Sequence, residues 1–206
     1  MKHTIFPLLL VGILLLPGVA NAQDDNIRKF LSDNRSKWKD LNVPYEDGQL
    51  LYDLIVKNKY TSALEIGTST GHSTIWIAWA LSKTGGKLIT IEIDEERHKE
   101  AVANLKAVGL DRYVDARLAD AHDLVKQLPG PFDFVFSDAD KNWYTQYFKD
   151  INPKLKVNGC FTAHNVLGNM TGIKEFLDYV QAQENYETTI DKASRSGLSI
   201  SYKRSR

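Results

Sequence analysis

Side chains able to do chemistry follow the short apolar runs of this sequence. The most distinctive run, Phe132–Phe136, leads into Ser137-Asp138-Ala139-Asp140-Lys141. Two carboxylates and an ammonium at the tip of an apolar strand need partners or a ligand. A carboxylate there can hold a divalent cation, and a neighbouring lysine can act as a base or polarise a hydroxyl. His164 and Asn165 follow another apolar run and add two ligand-type side chains, although any one of these residues could instead form a loop salt bridge or cap a helix.

A glycine-rich turn and a later acid indicate a ligand that contains a nucleoside. Gly67 and Gly71 lie in Glu65-Ile66-Gly67-Thr68-Ser69-Thr70-Gly71, where glycine lets the backbone turn and approach a ligand closely. This spacing is not the dinucleotide fingerprint, and an ordinary strand-to-helix turn explains it equally well. Glu92 ends a later apolar run, where an acid can accept both hydroxyls of a ribose. The two features together favour a nucleoside-containing cofactor.

A third run leads into Ala119-Asp120-Ala121-His122. Small side chains and backbone groups in such a loop can border an adenine. Asp120 is also a good N-cap for the helical pattern that follows, and the two roles are compatible.

Two alternating periods indicate the elements that position these residues. The predicted strands are Ser62–Ile66, Lys87–Ile93, Val114–Leu118, Phe132–Phe136, Gly159–Ala163, Tyr186–Ile190 and Gly197–Tyr202. The predicted helices are Asn26–Trp38, Gly48–Lys57, Gly71–Leu81, Glu95–Val108, Ala121–Leu128, Trp143–Ile151 and Ile173–Gln183. This alternation predicts a doubly wound α/β domain, with a mostly parallel sheet covered by helices on both faces and an antiparallel pair at its C-terminal end. Ligands of such sheets bind at the carboxyl ends of the strands.

Composition excludes several classes of protein. The chain has 206 residues, of which 43% are hydrophobic and 25% charged, with 26 basic and 26 acidic side chains. The apolar content excludes a disordered chain, and one cysteine excludes a disulfide scaffold. A formal net charge of zero argues against a protein that coats nucleic acid.

The first 22 residues have the pattern of an export signal. A basic start precedes the apolar run Ile5–Leu16, and Ala20-Asn21-Ala22 supplies the small residues of a cleavage site. Twelve apolar residues span about 18 Å, less than a hydrocarbon core of about 30 Å. We therefore expect residues 1–22 to be a signal peptide and residues 23–206 a single exported domain. The alternative is an uncleaved N-terminal anchor with the domain facing the cytoplasm.

In motif order and spacing the chain resembles the cation-dependent O-methyltransferases of small molecules, the catechol and caffeoyl-coenzyme A group. The motifs that carry the resemblance are Asn42-Val43 with Gly48-Gln49, the turn from Glu65 to Gly71, Ile91-Glu92-Ile93, the stretch from Phe132 to Lys141 followed by Tyr144 and Tyr147-Phe148, and Asn165-Val166-Leu167. The resemblance implies a Rossmann-like methyltransferase fold and S-adenosylmethionine (SAM) as cofactor.

The resemblance also implies roles for individual residues. With the turn and loop residues above, the predicted cofactor-binding set is Val43, Glu65, Gly67, Ser69, Gly71, Ser73, Glu92, Asp120, Ala121 and Asp138. Lys141, with Asp138, is predicted to deprotonate or orient the acceptor hydroxyl. Asp138 and Asn165 match ligands of a divalent metal, Mg²⁺ or Mn²⁺.

His164 departs from the pattern, because the resemblance implies an aspartate at this position. Imidazole prefers metals that are softer than Mg²⁺, so His164 can ligate such a metal. It can also act as an acid or base in a metal-free site, or mark a weakened metal site.

The resemblance implies methyl transfer to a hydroxyl of a small catechol-like aromatic molecule, with metal assistance. Two alternatives stay open: methylation of a hydroxylated RNA base, which neutrality disfavours, and cofactor binding without turnover. A homodimer is possible, and contact with a membrane is expected only through an uncleaved N-terminal segment.

Overall fold

The computed structural model describes residues 17–39 and 41–205 of the chain. Its centre is a seven-stranded sheet in the order β3-β2-β1-β4-β5-β7-β6. The strands are β1 Ser62–Ile66, β2 Lys87–Glu92, β3 Val114–Leu118, β4 Phe132–Ser137, β5 Leu155–His164, β6 Tyr186–Asp191 and β7 Leu198–Lys203. All seven predicted strands are present, so the predicted α/β fold is confirmed.

Strand direction places the carboxyl ends of five strands at one edge of the sheet. β1 to β5 pair in parallel, with β1 between β2 and β4. β7 runs antiparallel to both β5 and β6, as predicted for the end of the sheet. The strand order reverses at β1, where the connections leave to opposite sides. A crevice opens at such a point, at the carboxyl ends of the parallel strands.

Helices cover both faces of the sheet. They are α1 Pro17–Asp33, α2 Tyr45–Asn58, α3 His72–Thr84, α4 Glu95–Ala107, α5 Ala121–Gln127, α6 Tyr144–Ile151 and α7 Ile173–Gln181. Alternation along β4 shows how the two faces are built. Val135 packs with residues of α5, α6 and α7, whereas Phe134 and Phe136 pack with residues of α2 and α3. Both faces are apolar because the sheet is buried on both sides.

The first helix differs from its predicted bounds of Asn26–Trp38. It begins at Pro17 and ends at Asp33. The end is earlier because the Leu31 carbonyl, which the Arg35 N–H would reach in a longer helix, accepts from the Trp38 indole at 3.3 Å. The Arg35 N–H donates to the Ser32 carbonyl instead, and the Asn34 side-chain amide adds a bond to the Phe30 carbonyl at 2.9 Å. Such contacts compete with continuation of the helix.

The predicted signal segment lies mostly outside the described residues, since residues 1–16 are not described. Its cleavage stays a prediction. The described contacts between α1 and the rest of the domain are made by residues that follow the predicted cleavage site. Asp24 accepts a hydrogen bond from the Trp79 indole at 2.7 Å, and Ile27 and Leu31 are fully buried. In the part of the chain that the structure describes, no helix combines the length and hydrophobicity of a membrane span.

We predict that Leu31→Ala lowers the free energy of unfolding by about 2–4 kcal/mol, because it empties a fully buried site between α1 and α3. Lys29→Ala serves as the control, because the Lys29 side chain is on the same helix and is 74% exposed. It should change the free energy of unfolding by less than about 0.5 kcal/mol. Urea denaturation measures both. Equal stabilities would show that α1 does not belong to the folded core.

Candidate functional site

A cavity of about 670 Å³ opens at the carboxyl ends of the five parallel strands, β1 to β5. Most of the predicted site residues line it. They are Gly67, Ser69, Glu92, Asp120, Ala121, Asp138, Lys141, His164 and Asn165. The described residues therefore bring the predicted cofactor-binding end and the predicted acceptor end into one space.

Four predicted cofactor-binding residues do not line this cavity: Val43, Glu65, Gly71 and Ser73. Val43 is 3% exposed and packs in the core beside α2 and α3. Gly71 precedes α3 with a φ of +95°, and a Cβ there would lie 3.2 Å from the Ala101 backbone. These residues support the cavity from beneath, and the local sequence pattern does not distinguish support from lining.

Glu65 belongs to the same support. It is fully buried and accepts hydrogen bonds from the hydroxyls of Ser73, Thr74 and Thr90, each at 2.6 Å. Burial is the main influence on its carboxyl group and outweighs these hydrogen bonds, so the pKa of Glu65 is raised to about 7. Glu65 thus joins β1, β2 and α3 beneath the cavity.

Gly67 lets the turns after β1 and β4 touch. Its φ is +99°, and a Cβ at this position would lie 2.8 Å from the Asp138 carbonyl oxygen. Any side chain would therefore push the two turns apart. The close approach sets the distance between the β1 turn and the Asp138 side chain.

Glu92 is held by backbone groups at the end of β2. Its Oε2 accepts a hydrogen bond from the Ser69 N–H at 2.7 Å, and its Oε1 accepts from the N–H groups of Ile93 and Asp94 at 3.0 Å each. The residue is 7% exposed. Oε2 keeps a further lone pair, so the carboxylate can accept a hydroxyl from a ligand in the cavity.

The wall beside Glu92 is flat and apolar. Ile91, Ile93, Ala119 and Ala121 line it. Asp120 caps α5, because its side chain accepts a hydrogen bond from the His122 N–H at 2.8 Å. Both roles foreseen for this loop, the helix cap and the cavity wall, are therefore compatible in the structure.

The opposite end of the cavity contains a chain of charged groups. Lys141 Nζ donates to Asp138 Oδ1 at 2.6 Å. The second oxygen, Oδ2, lies 3.1 Å from His164 Nδ1, and His164 Nε2 lies 2.8 Å from Asp47 Oδ2. The Ser194 hydroxyl donates to that same Asp47 oxygen at 2.8 Å. Negative and positive groups therefore alternate.

His164 is 3% exposed, and burial disfavours a charged ring. The hydrogen bonds and charges of Asp138 and Asp47 outweigh burial and raise the pKa of His164 to about 9. The ring is therefore a cation at neutral pH, with a carboxylate at each nitrogen.

Asp47 is the site residue that sequence reasoning missed. It lies on α2, is 1% exposed and contacts a residue 117 positions away. A signal was present, because Asp47 shares a helix face with Leu51, Leu54 and Ile55, all of them buried. An acid within an apolar helix stripe needs a polar partner inside the fold.

The predicted metal ligands Asp138, His164 and Asn165 do lie together, but the surroundings of Asp138 and His164 do not fit a divalent cation. Both oxygens of Asp138 have cationic partners, and both nitrogens of His164 face carboxylates. A protonated ring nitrogen has no lone pair for a metal. Among the described residues, no three His, Cys, Asp or Glu side chains are grouped so as to hold a metal ion.

Comparison with known proteins agrees with this geometry. Residues 21–192 match the family model described as O-methyltransferase. The chain belongs to the O-methyltransferase family.

Relatives of this O-methyltransferase family member have named activities. A catechol O-methyltransferase of Niastella koreensis is 41% identical over 113 residues, which are 53% of this chain and 51% of that protein. A caffeoyl-CoA O-methyltransferase of Medicago sativa is 29% identical over 138 residues, 64% of this chain and 56% of that protein. The matches thus span about half the length of these relatives.

Solved structures show the same fold. An O-methyltransferase from Bacillus cereus, crystallised in complex with SAH, has a TM-score of 0.76 and 26% identity, over 91% of this chain and 97% of that one.

We predict that the free energy of unfolding falls as the pH rises through the titration range of Glu65. The native pKa of about 7 exceeds the ordinary glutamate pKa of 4.5, so the folded state binds the proton more tightly. The contribution of the protonated group is fully present below pH 4.5 and is lost between pH 4.5 and 7, by up to about 3 kcal/mol. Urea denaturation across this range measures it.

Glu65→Gln is the matched variant, since it keeps the shape and removes the titration. The difference in unfolding free energy between the two proteins should change across this pH window. A constant difference would contradict the raised pKa.

Proposed function

We propose that this protein transfers a methyl group from SAM to a hydroxyl of a small aromatic molecule. One observation carries the proposal: the backbone-anchored carboxylate of Glu92 and the ion-paired ammonium of Lys141 open onto the same cavity. The first suits a ribose and the second suits an acceptor oxygen. The tight contact between Gly67 and the Asp138 backbone lies between the Glu92 end and the Lys141 end of the cavity.

The cofactor end fits SAM. Glu92 accepts the ribose hydroxyls, and the apolar wall formed by Ile93 and Ala121 packs against the adenine. Gly67 lines the same space. The relative from Bacillus cereus, whose crystal contains SAH, supports this assignment.

When bound, SAM supplies an electrophilic sulfonium methyl group, whose transfer to oxygen leaves S-adenosylhomocysteine (SAH). Lys141 Nζ donates to Asp138 Oδ1 and to the Ala139 carbonyl, at 2.6 Å and 3.1 Å. A third N–H of the ammonium is available to the acceptor oxygen. Lys141 therefore orients this oxygen and stabilises its negative charge, while the hydroxyl proton passes to solvent water at the exposed acceptor end. Orientation within the cavity aligns the oxygen with the methyl group.

The acceptor end favours a small hydroxylated aromatic ring. Leu41, Pro44 and Met170 line it and provide aliphatic surface against which a ring can pack. Leu41 and Met170 are 71% and 43% exposed, so this surface is open to an incoming molecule. The names of the relatives, catechol and caffeoyl-CoA O-methyltransferases, support the same class of acceptor.

We expect the purified protein to form SAH from SAM with at least one of a panel of catechols. Lys141→Met should lower kcat about 100-fold with little change in the KM for SAM, because Lys141 contacts the acceptor oxygen. Lys174→Met, at a side chain that is 87% exposed, is the control. Binding of SAM without turnover of any acceptor would favour the non-catalytic alternative, and absence of SAM binding would overturn the proposal.

Glu92→Gln should weaken SAM binding by about 10- to 100-fold, because the amide replaces one of the two carboxylate oxygens and removes the charge that accepts the ribose hydroxyls. Calorimetric titration with SAM measures the change. Glu95→Gln, at an acid that is 65% exposed one turn away, should bind SAM as the natural chain does. Equal affinities of the two variants would remove Glu92 from the cofactor site.

A further inference from the structure

The ring of His164 lies between two carboxylates, Asp138 and Asp47, at the end of the cavity where a cation was predicted to bind. Asp138 Oδ2 lies 3.1 Å from one ring nitrogen, and Asp47 Oδ2 lies 2.8 Å from the other. An ionised carboxylate only accepts hydrogen bonds, so each ring nitrogen donates one. The ring therefore bridges the two carboxylates through two N–H hydrogen bonds.

The neighbouring groups hold this bridge in place. Asp47 is 1% exposed, and its Oδ1 has no hydrogen-bond partner among the residues that the structure describes. Its charge is therefore balanced through Oδ2 alone, by His164 and the Ser194 hydroxyl. Turning the His164 ring away would leave a buried carboxylate without its cationic partner, which is strongly unfavourable.

Charge gives a second reason, which follows from the same geometry, because a ring that donates from both nitrogens is a cation. The two carboxylates Asp47 and Asp138 are matched by two cationic side chains, His164 and Lys141. A divalent cation next to Asp138 would meet both cationic side chains at close range in a poorly solvated place. Asp138 keeps free lone pairs, so the obstacle to its acting as a ligand is the repulsion from these two cationic partners.

We propose that this protein transfers methyl groups without a divalent cation, and that Asp47 and His164 are positioning residues that fix Asp138 and, through it, Lys141. This inference rests on the proposed function for its catalytic part. Its binding part, the exclusion of a divalent cation by the His164 bridge, does not depend on any acceptor.

The first experiment measures Mn²⁺ binding to the full chain by calorimetry and by the electron paramagnetic resonance of free Mn²⁺, with and without SAM. We expect no binding tighter than about 1 mM. In the turnover assay, EDTA should change the rate by less than about twofold. One equivalent of bound Mn²⁺, or activity that EDTA abolishes and Mg²⁺ or Mn²⁺ restores, would overturn the proposal.

His164→Asp tests the bridge directly, because it removes the cation and adds a hard oxygen donor. We expect Mn²⁺ affinity to rise at least about tenfold over the natural chain. Unchanged affinity in the folded variant would show that His164 is not what excludes the cation.

Asp47→Asn tests the positioning role and keeps the shape of the side chain. The kcat should fall about tenfold with the KM for SAM unchanged, since Asp47 acts on the acceptor end through His164. Asp53→Asn, at an exposed acid on the same helix, is the control. Equal kcat in both variants would overturn the positioning role. If no acceptor is turned over, the proposed function fails, whereas the Mn²⁺ measurements still decide whether the bridge excludes a cation.

Discussion

The hydrogen bond from the Asp138 N–H to the Ile66 carbonyl, 2.8 Å long, joins the two halves of the cavity. It continues the parallel pairing of β1 and β4 by one residue beyond Ser137, so the turns that leave the two strands start at the same level. Gly67 can then pack against the Asp138 carbonyl because it carries no side chain. The relative position of the cofactor end and the acceptor end therefore depends on this backbone contact.

The two ends are built by different means. Glu92 is oriented by three backbone N–H groups, and Glu65 ties the strands beneath it through three hydroxyls. At the other end, side chains hold side chains: Lys141, Asp138, His164 and Asp47 form one connected series. Such a network is stable only while every member has its partner.

Sequence reasoning predicted the sheet well because each strand is a short apolar run between turn residues, and parallel strands must place their ends at one edge. It also found Glu92, Asp138 and Lys141, which directly follow or end those runs. It missed Asp47, because the partner of that residue is 117 positions away and no local pattern names it. It assigned Glu65 and Ser73 to the cavity, since neighbours of a lining residue look alike in sequence whether they face the ligand or lie beneath it. The end of α1 also depended on side-chain contacts that a periodic pattern does not contain.

The anchoring of Glu92 by main-chain groups has an evolutionary consequence. Every residue except proline carries an N–H, so substitutions at Ser69, Ile93 or Asp94 can leave these three hydrogen bonds in place. The series from Lys141 to Asp47 has no such tolerance, because a single replacement alters the charges of its neighbours. A lineage with this architecture can therefore keep its methyl donor while changing how it activates the acceptor. His164 stands where the resemblance implies an aspartate, and it is a position at which such a change would begin.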